Sequence, residues 1–437
     1  MKNDLVLKQK KILKIVREYF KRKNSPFKKK SYFALYENGI GSQYIKNKIY
    51  NLKIDIFKKF ILENFNLINY SNLKIISNNN KNENFKNLVI TWGNKSSFSN
   101  DGTFHDKYFS THSSNHKKTL WIILLNEEFI NEIIDKNIVL IYPKKNLLNY
   151  IKFIKIFLYN LFNIFLGSNN QTIDQDYLIS DCINNFIYNN KNLSNLKNLI
   201  MPYEGQAFQK SIFYKQKKLK KIKTFGFDHS APHSIATQLY YTKGSPDYLL
   251  VSGINTKKNY YKYYNWPQKK IKLTFPSRYK NFDKKDFKNK MFLPYDFVKE
   301  DEILKNLENF LKNRKNNSLK KFRINIHPVK IKDKRHINLK KKIQQIIRKY
   351  KQKFFDKSSN SVTIAVGFTT TPIVALEFKL SVLHICPNPD FDTYLNCFWP
   401  NIKIKKINKF SFFYTLNQKG KYLNFKNTNK ILEILND

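Results

Sequence analysis

The 437-residue sequence has few of the residues that mark several specialised classes of protein. Its three cysteines, Cys182, Cys386 and Cys397, exclude a disulfide scaffold and fit a reducing compartment such as the cytoplasm. With 11 glycines and 13 prolines, the chain is neither collagen-like nor proline-rich. It has no uninterrupted apolar run of about 18 or more residues, so no membrane span is predicted. Lysines break the apolar runs of the N-terminus, unlike the core of a signal peptide.

Acidic residues are also scarce. The chain has 32 Asp and Glu against 80 Lys and Arg, a formal net charge of +48. Because 41% of the residues are hydrophobic and 16% aromatic, the chain can still bury large cores. The positive residues are mostly lysines spread along the whole chain, so specific nucleic-acid binding is not predicted. Most of them are expected to be solvated surface, and the alternative role is attraction to an anionic ligand or membrane.

Strand-like and helical segments alternate along the chain, which predicts an α/β fold. In the second half, a strand ending at His327 is followed by a helix through Ile343, a strand at 361–366, a helix at 372–378 and a strand at 381–386. This βαβαβ order predicts a doubly wound, Rossmann-like sheet. We therefore predict two α/β domains, residues 1–215 and 216–437.

The segment 147–166 has the pattern of an amphipathic helix with a very broad apolar face. At 100° per residue, Asn149, Lys152, Asn160 and Asn163 fall in one narrow polar arc. Two interpretations remain open. The helix either packs against the sheet of the first domain or lies in a membrane interface.

A hydroxyl-rich loop, from Gly367 through Thr369, Thr370 and Thr371 to Pro372, lies between a predicted strand and a predicted helix. We expect Thr371 to cap that helix and Pro372 to occupy its first position. Backbone N–H groups and hydroxyls at such a turn suit a phosphate, so the loop is the candidate phosphate site.

His327 and Pro328 end the preceding predicted strand. Ligands of open α/β sheets bind outside the carboxyl ends of the strands, so His327 should lie beside the threonine loop. An imidazole there can donate to a phosphate oxygen or protonate a leaving group.

Glu204 and His229 are the candidate general bases near the junction of the two halves. Glu204, which precedes a glycine in the stretch 202–206, is the stronger candidate, and His229 stays open as the alternative. Asp174 and Asp176 have the spacing of a metal-binding pair but stand isolated, so no metal site is predicted. The chain also has no zinc-ligand spacing, phosphate-binding lysine loop, dinucleotide glycine fingerprint or serine-hydrolase elbow.

Three short motifs occur in a recognisable order: Tyr203-Glu204-Gly205, His327-Pro328 and Thr369-Thr370-Thr371. This order resembles that of bacterial sialyltransferases and polysialyltransferases, which use CMP-activated sugars and have the GT-B fold of two Rossmann-like domains facing across a cleft. The segments PYEGQAFQ, GFDHSAPHS and SPDYLLVSG, within residues 202–253, also look like surface-carbohydrate transferases. The resemblance covers about residues 200–380 and extends to the first domain only loosely, through ITWG and DGTFHDKYF.

The resemblance implies an inverting, metal-independent transferase that needs no cofactor beyond its nucleotide-sugar donor. Glu204 would be the general base, His327 with Pro328 would serve the nucleotide phosphate, and Thr369 with Thr370 would hold it. The acceptor would be a surface polysaccharide or lipid-linked glycan, and the enzyme would rest on the inner face of the cytoplasmic membrane. Tyr203 stands where a second carboxylate is common, and threonines stand where serines are usual, so Kdo-like sugars and other nucleotides stay open.

Two other functions remain as alternatives. CDP-polyol phosphotransferases of wall-polymer synthesis also look GT-B-like, and in that case His229 would be the base and His327 would lie at the phosphate. The other alternative is a non-catalytic scaffold that uses the 147–166 helix and the positive surface to lie on a membrane.

Overall fold

The computed structural model describes residues 2–21, 64, 67–78, 83–128, 134–144, 146–165, 173–220, 222–297, 299–313, 323–350, 362–427, 431 and 433. The first large sheet contains β1 Leu73–Ser77, β2 Asn87–Trp92, β5 Thr119–Leu124, β6 Ile138–Pro143, β7 Asn198–Pro202, β8 Lys223–Phe227, β9 Tyr248–Val251 and β10 Ile271–Leu273. A short hairpin consists of β3 His105–Asp106 and β4 Thr111–His112. The second large sheet contains β11 Lys290–Phe292, β12 Arg323–Asn325, β13 Val362–Val366, β14 Ser381–Ile385, β15 Ile402–Asn408 and β16 Ser411–Leu416.

The described α-helices are α1 Lys2–Lys21, α2 Leu147–Phe165, α3 Gln175–Asn189, α4 Ala207–Lys220, α5 Ile254–Tyr263, α6 Glu300–Asn313, α7 Lys334–Lys349, α8 Thr371–Glu377 and α9 Pro389–Asp392. Helices cover one face of the first sheet and both faces of the second, and the segment around the β3–β4 hairpin covers the other face of the first, so the strands are buried on both sides, as parallel strands require. Leu88 and Ile90 of β2 enter one apolar cluster, for example, while Val89 enters the cluster on the opposite face.

The strand order of the first sheet is β1-β6-β5-β2-β7-β8-β9-β10. All of these strands are parallel except β1, which runs antiparallel to β6 at the edge. From β2 the chain adds β5 and β6 on one side, and then β7 to β10 on the other. The order therefore reverses between β2 and β7, as in a Rossmann sheet.

The strand order of the second sheet is β12-β11-β13-β14-β16-β15. The first four of these strands are parallel, and β15 and β16 form an antiparallel edge. Here the order reverses between β11 and β13. The two sheets confirm the predicted α/β class with two Rossmann-like units.

The first sheet extends beyond the predicted domain boundary between residues 215 and 216. β8 pairs with β7 in parallel, from Asn198 opposite Lys223 to Pro202 opposite Phe227. β9 and β10 continue the same sheet, so the chain passes from one sheet to the other within residues 274–289. β8 is buried between β7 and β9. Its sequence pattern is the same whether the strand ends the first sheet or begins the second, so the sequence alone could not place the boundary.

Helix α2 does not pack its apolar face against the sheet, which was one of the two interpretations of segment 147–166. Its polar residues Asn149, Asn160 and Asn163 are buried, at 2%, 1% and 5% exposure, and none of the side chains described between 148 and 163 belongs to the apolar clusters. Its outward apolar residues are instead exposed. None of the helices in the described ranges is long and apolar enough to cross a membrane.

Candidate functional site

The strand-order reversals place two loop pairs where ligands of α/β sheets bind, outside the carboxyl ends of diverging strands. In the first sheet these are the ends of β2 and β7, which lead into Gly93 and Glu204. In the second sheet they are the ends of β11 and β13, which lead into Pro294 and Gly367. Glu204 and the Gly367 loop, which the sequence analysis singled out, thus both lie at strand-order reversals.

The turn that carries Glu204 is tightly fixed. Gly205 has a φ of +73°, and a Cβ added there would lie 2.2 Å from the carbonyl oxygen of Gln238. The side-chain oxygen of Gln209 accepts the backbone N–H groups of Glu204, at 3.0 Å, and Gln206, at 3.1 Å. Its amide nitrogen donates to the carbonyl of Pro202 at 2.7 Å. The carboxylate of Glu204 is thus presented by a preorganised turn.

Glu204 and His229 form a close pair, with Oε1 and Nε2 3.3 Å apart. The side chain of His229 is only 1% exposed, whereas that of Glu204 is 44% exposed. Burial alone raises the pKa of Glu204, but the hydrogen bond from His229 and the charge of Arg278 outweigh it and hold the pKa below its usual value. Burial lowers the pKa of His229, and the hydrogen bond to Glu204, which raises it, does not fully offset this effect. The pair is therefore a half-exposed carboxylate that accepts the Nε2–H of a buried, neutral imidazole at Oε1 and the side-chain amide of Gln206 at Oε2, 2.8 Å away.

Tyr108 and Arg278 complete the surroundings of this pair. The ring of Tyr108 meets that of His229 edge-on at 4.5 Å, and burial raises the pKa of Tyr108 to about 12. The guanidinium carbon of Arg278 lies 5.8 Å from the Tyr108 ring centroid, and its Nη1 donates to Ser230 Oγ at 3.1 Å. The buried carboxylate of Asp106 accepts the backbone N–H of Tyr108 at 2.7 Å, which fixes the loop.

Arg278 acts electrostatically on residues of both sheets. The pKa of His327, which follows β12, is lowered first by burial and next by the positive charge of Arg278. The same charge also helps to hold down the pKa of Glu204 beyond β7. An exposed guanidinium that influences both groups is suited to receive an anion between them.

His327 lies against the loop that follows β11. Its ring meets that of Tyr295 edge-on at 5.4 Å, and Lys330 Nζ lies 4.6 Å from the centroid of the same tyrosine ring. Within the described residues, Nδ1 of His327 is buried without a hydrogen-bond partner. Pro328 begins the short 3-10 turn that follows.

The threonine loop differs from the predicted helix cap. Helix α8 begins at Thr371, so Thr370 occupies the N-cap position and Pro372 lies inside the first turn. Thr369 Oγ1 accepts the Thr371 N–H at 3.3 Å and lies 3.0 Å from Thr371 Oγ1. Thr370 makes no side-chain capping bond, so the one side-chain bond to the first helical N–H comes from Thr369, in a local turn before the helix. Thr369, Thr370 and Thr371 are all partly exposed.

The loop after β8 is joined directly to the threonine loop. His233 stacks on Phe368 with ring centroids 4.5 Å apart and an interplanar angle of 21°. The hydroxyl of Tyr394 lies 3.0 Å from the carbonyl oxygens of both Pro232 and Thr369. The segment that carries His229 is thereby attached to the candidate phosphate loop.

Sequence reasoning missed Tyr108 and His233 as parts of this site. Tyr108 lies in the segment DGTFHDKYF and His233 in GFDHSAPHS, and both segments carry the motif resemblance. Arg278, one of 80 basic residues, could be considered from sequence only as a positive charge near the cleft that would attract the donor.

The two aspartates with metal-like spacing contact helix ends. Asp174 accepts the Tyr177 N–H at 2.7 Å as the N-cap of α3. Asp176 accepts the Phe208 N–H at 3.4 Å, at the start of α4. Across the part of the chain that the structure describes, no three His, Cys, Asp or Glu side chains are grouped so that they could hold a metal ion.

Comparisons with known proteins do not identify a family for this chain. No protein-family model matches the chain, and no curated protein does. Among solved structures, the chain is similar to one described as a glycosyltransferase from Rickettsia africae ESF-5, at 13% sequence identity and a TM-score of 0.32. That similarity covers 72% of this chain and 88% of the other, and at this TM-score it assigns neither fold nor activity.

Proposed function

We propose that the protein is a glycosyltransferase that uses a nucleotide-activated sugar, with Glu204 as the general base. The observation that carries the proposal is the pairing of Glu204 and His229 at the strand-order reversal of the first sheet. Because Glu204 is open to solvent and its pKa is low, its carboxylate is available to take a proton at neutral pH. His229 is too enclosed to reach an acceptor hydroxyl, and its part is to orient and stabilise the carboxylate.

The proposed reaction is a single displacement with inversion. The acceptor hydroxyl oxygen forms a bond to the anomeric carbon of the donor, and its proton passes to Glu204. The bond between that carbon and the phosphate oxygen breaks, and its electron pair stays on the phosphate. Arg278 and His327 would stabilise this departing negative charge, as would the N–H and hydroxyl groups of Thr369 and Thr370. Because these groups can neutralise one phosphate, metal independence is part of the proposal.

The donor we favour is a CMP-linked acid sugar of the sialic-acid or Kdo type. The support is the order of the three motifs, together with the positive charge of Arg278, which acts on both Glu204 and His327. The acceptor we favour is a surface polysaccharide or lipopolysaccharide, reached from the cytoplasmic side of the membrane. That choice rests on the motif resemblance alone.

Nucleotide binding tests the donor half of the proposal. Thermal unfolding would be followed with CMP, CDP, UDP, GDP and ADP, each with and without Mg²⁺, for the wild type and for His327→Ala. A ligand at 100 times its dissociation constant adds about 2.7 kcal/mol to stability. We expect stabilisation by CMP that does not depend on Mg²⁺ and that weakens in His327→Ala. Stabilisation by a different nucleotide would overturn the CMP assignment, and no response to any of them would overturn the phosphate site.

A CDP-polyol phosphotransferase is the second candidate, because a histidine hydrogen-bonded to a carboxylate is also a possible base. The two candidates differ in the effect of His229→Asn. In the glycosyltransferase, Glu204→Ala abolishes transfer and His229→Asn only weakens it. In the phosphotransferase, His229→Asn abolishes it. A protein that binds no nucleotide but does bind lipid would instead fit the scaffold alternative.

A further inference from the structure

Helix α2 turns its polar side toward the protein and its apolar side outward. The exposed apolar side chains include Leu148, Tyr150, Ile151, Ile154, Leu158 and Phe162, at 55%, 57%, 46%, 53%, 56% and 62% exposure. Such an apolar stripe on a surface helix, interrupted here by Lys155, marks an interaction site.

Hydrogen bonds fix this orientation. The side-chain nitrogen of Asn160 donates to Asn64 Oδ1 at 2.9 Å and to the carbonyl of Ile173 at 2.8 Å, and its oxygen accepts the Ile173 N–H at 2.7 Å. At the other end, Asn149 donates to the carbonyl of Lys144. A rotation of the helix that buried the apolar stripe would break these hydrogen bonds and leave their polar groups without partners. The hydrogen bonds therefore hold the apolar stripe outward.

Charge identifies what this stripe meets. Lys155 is exposed among the apolar residues of the same helix, Lys152 is exposed at its polar side, where its Nζ donates to Asn72 Oδ1 at 3.2 Å, and Leu147–Phe165 contains no acidic residue. A second copy of the chain would carry the same net charge of +48 and be repelled. An anionic lipid surface complements both features, since acyl chains accept the apolar side chains and the headgroups attract the lysines.

We propose that α2 docks the protein on an anionic lipid bilayer, lying in the plane of the interface with Ile154, Leu158 and Phe162 inserted. The helix follows β6, whose carboxyl end lies on the same edge of the sheet as Glu204. The N-terminus of α2 therefore begins at the edge of the sheet that carries the candidate site. The inference does not depend on the proposed reaction.

Sedimentation with vesicles tests the inference on the full chain. Vesicles of phosphatidylcholine alone would be compared with vesicles of equal parts phosphatidylcholine and phosphatidylglycerol. We expect binding to the anionic vesicles, and a loss of about tenfold or more in affinity for the double variant Ile154→Asn, Phe162→Asn, because insertion contributes alongside charge.

The matched control is Leu7→Asn, Leu219→Asn, which removes two apolar side chains that are 64% and 52% exposed on other helices. It should bind anionic vesicles as the wild type does, and both double variants should keep the wild-type melting temperature and nucleotide binding. Absence of vesicle binding by the wild type would overturn the inference. Equal binding by the α2 variant would also overturn it, since binding would then depend on charge alone. So would a wild-type dimer that the α2 variant abolishes, since the stripe would then contact a second copy of the chain.

Discussion

Glu204 and His229 each lie two residues after the end of a strand, and the two strands are parallel neighbours. The last pair of residues between these strands is Pro202 of β7 opposite Phe227 of β8. The register therefore brings the two side chains side by side, with Oε1 and Nε2 3.3 Å apart. A buried imidazole then keeps an open carboxylate ionised, which is the property that a general base needs.

The pH dependence of transfer should report this pairing. Only ionised Glu204 accepts a proton, so activity falls as pH falls through its lowered pKa. His229→Asn removes the hydrogen bond that opposes the burial of Glu204, so the pKa of the carboxyl rises and the acid limb moves to higher pH. The measurement is the profile of kcat/KM against pH for both proteins. An unchanged acid limb would show that His229 does not tune the base.

Arg278 should contribute to donor binding more than its exposed position suggests. We expect Arg278→Ala to weaken binding of the nucleotide by about tenfold or more, because it removes a charged hydrogen-bond donor from the anion's position. Titration calorimetry with the nucleotide measures this directly. Lys280→Ala, an exposed cation two residues away, is the control and should leave the affinity unchanged. Equal affinities for Arg278→Ala and the wild type would remove Arg278 from the site.

Gly205→Ala should destabilise the fold by about 2 kcal/mol or more, because φ is positive and the new Cβ meets the Gln238 carbonyl. Gly420→Ala separates the two causes. Gly420 has a similar φ of +71°, but the nearest atom to its Cβ would be 3.8 Å away. Denaturant unfolding should show a smaller loss for Gly420→Ala. Equal losses would mean that backbone strain, and not the close approach to Gln238, requires the glycine at 205.

Asp228 should make stability depend on pH. Burial raises its pKa to about 7, although the hydroxyl of Tyr260 donates to it at 2.6 Å. The folded protein therefore favours the protonated carboxyl, and stability present at low pH is lost as pH rises toward 7. Relative to the wild type, Asp228→Asn should gain roughly 1.4 kcal/mol per pH unit between about pH 4 and 7. Urea unfolding of both proteins across that pH range measures this difference in the free energy of unfolding. If Asp228 is ionised in the folded protein throughout, the difference would not change with pH.

Much of the fold could be predicted from local sequence. The strands predicted at 361–366 and 381–386 are found at Val362–Val366 and Ser381–Ile385, since short apolar runs between polar turns suffice to define a buried strand. β7 was not predicted, and without it the pairing of Glu204 with His229 could not be seen. The orientation of α2 was also beyond the sequence, because periodicity shows which residues share a face but not which face meets the protein. Asn160 is buried by contact with Asn64, 96 residues away.

The rate of sugar transfer from a CMP-activated donor by the wild type and Glu204→Gln, with nucleotide affinity measured on the same preparations, tests whether Glu204 is the base. Glu128→Gln, at an exposed carboxylate, is the control. We predict that Glu204→Gln lowers kcat by about 10²- to 10⁴-fold and leaves nucleotide affinity unchanged, since general-base catalysis contributes that much. Wild-type transfer by Glu204→Gln would show that Glu204 is not the base.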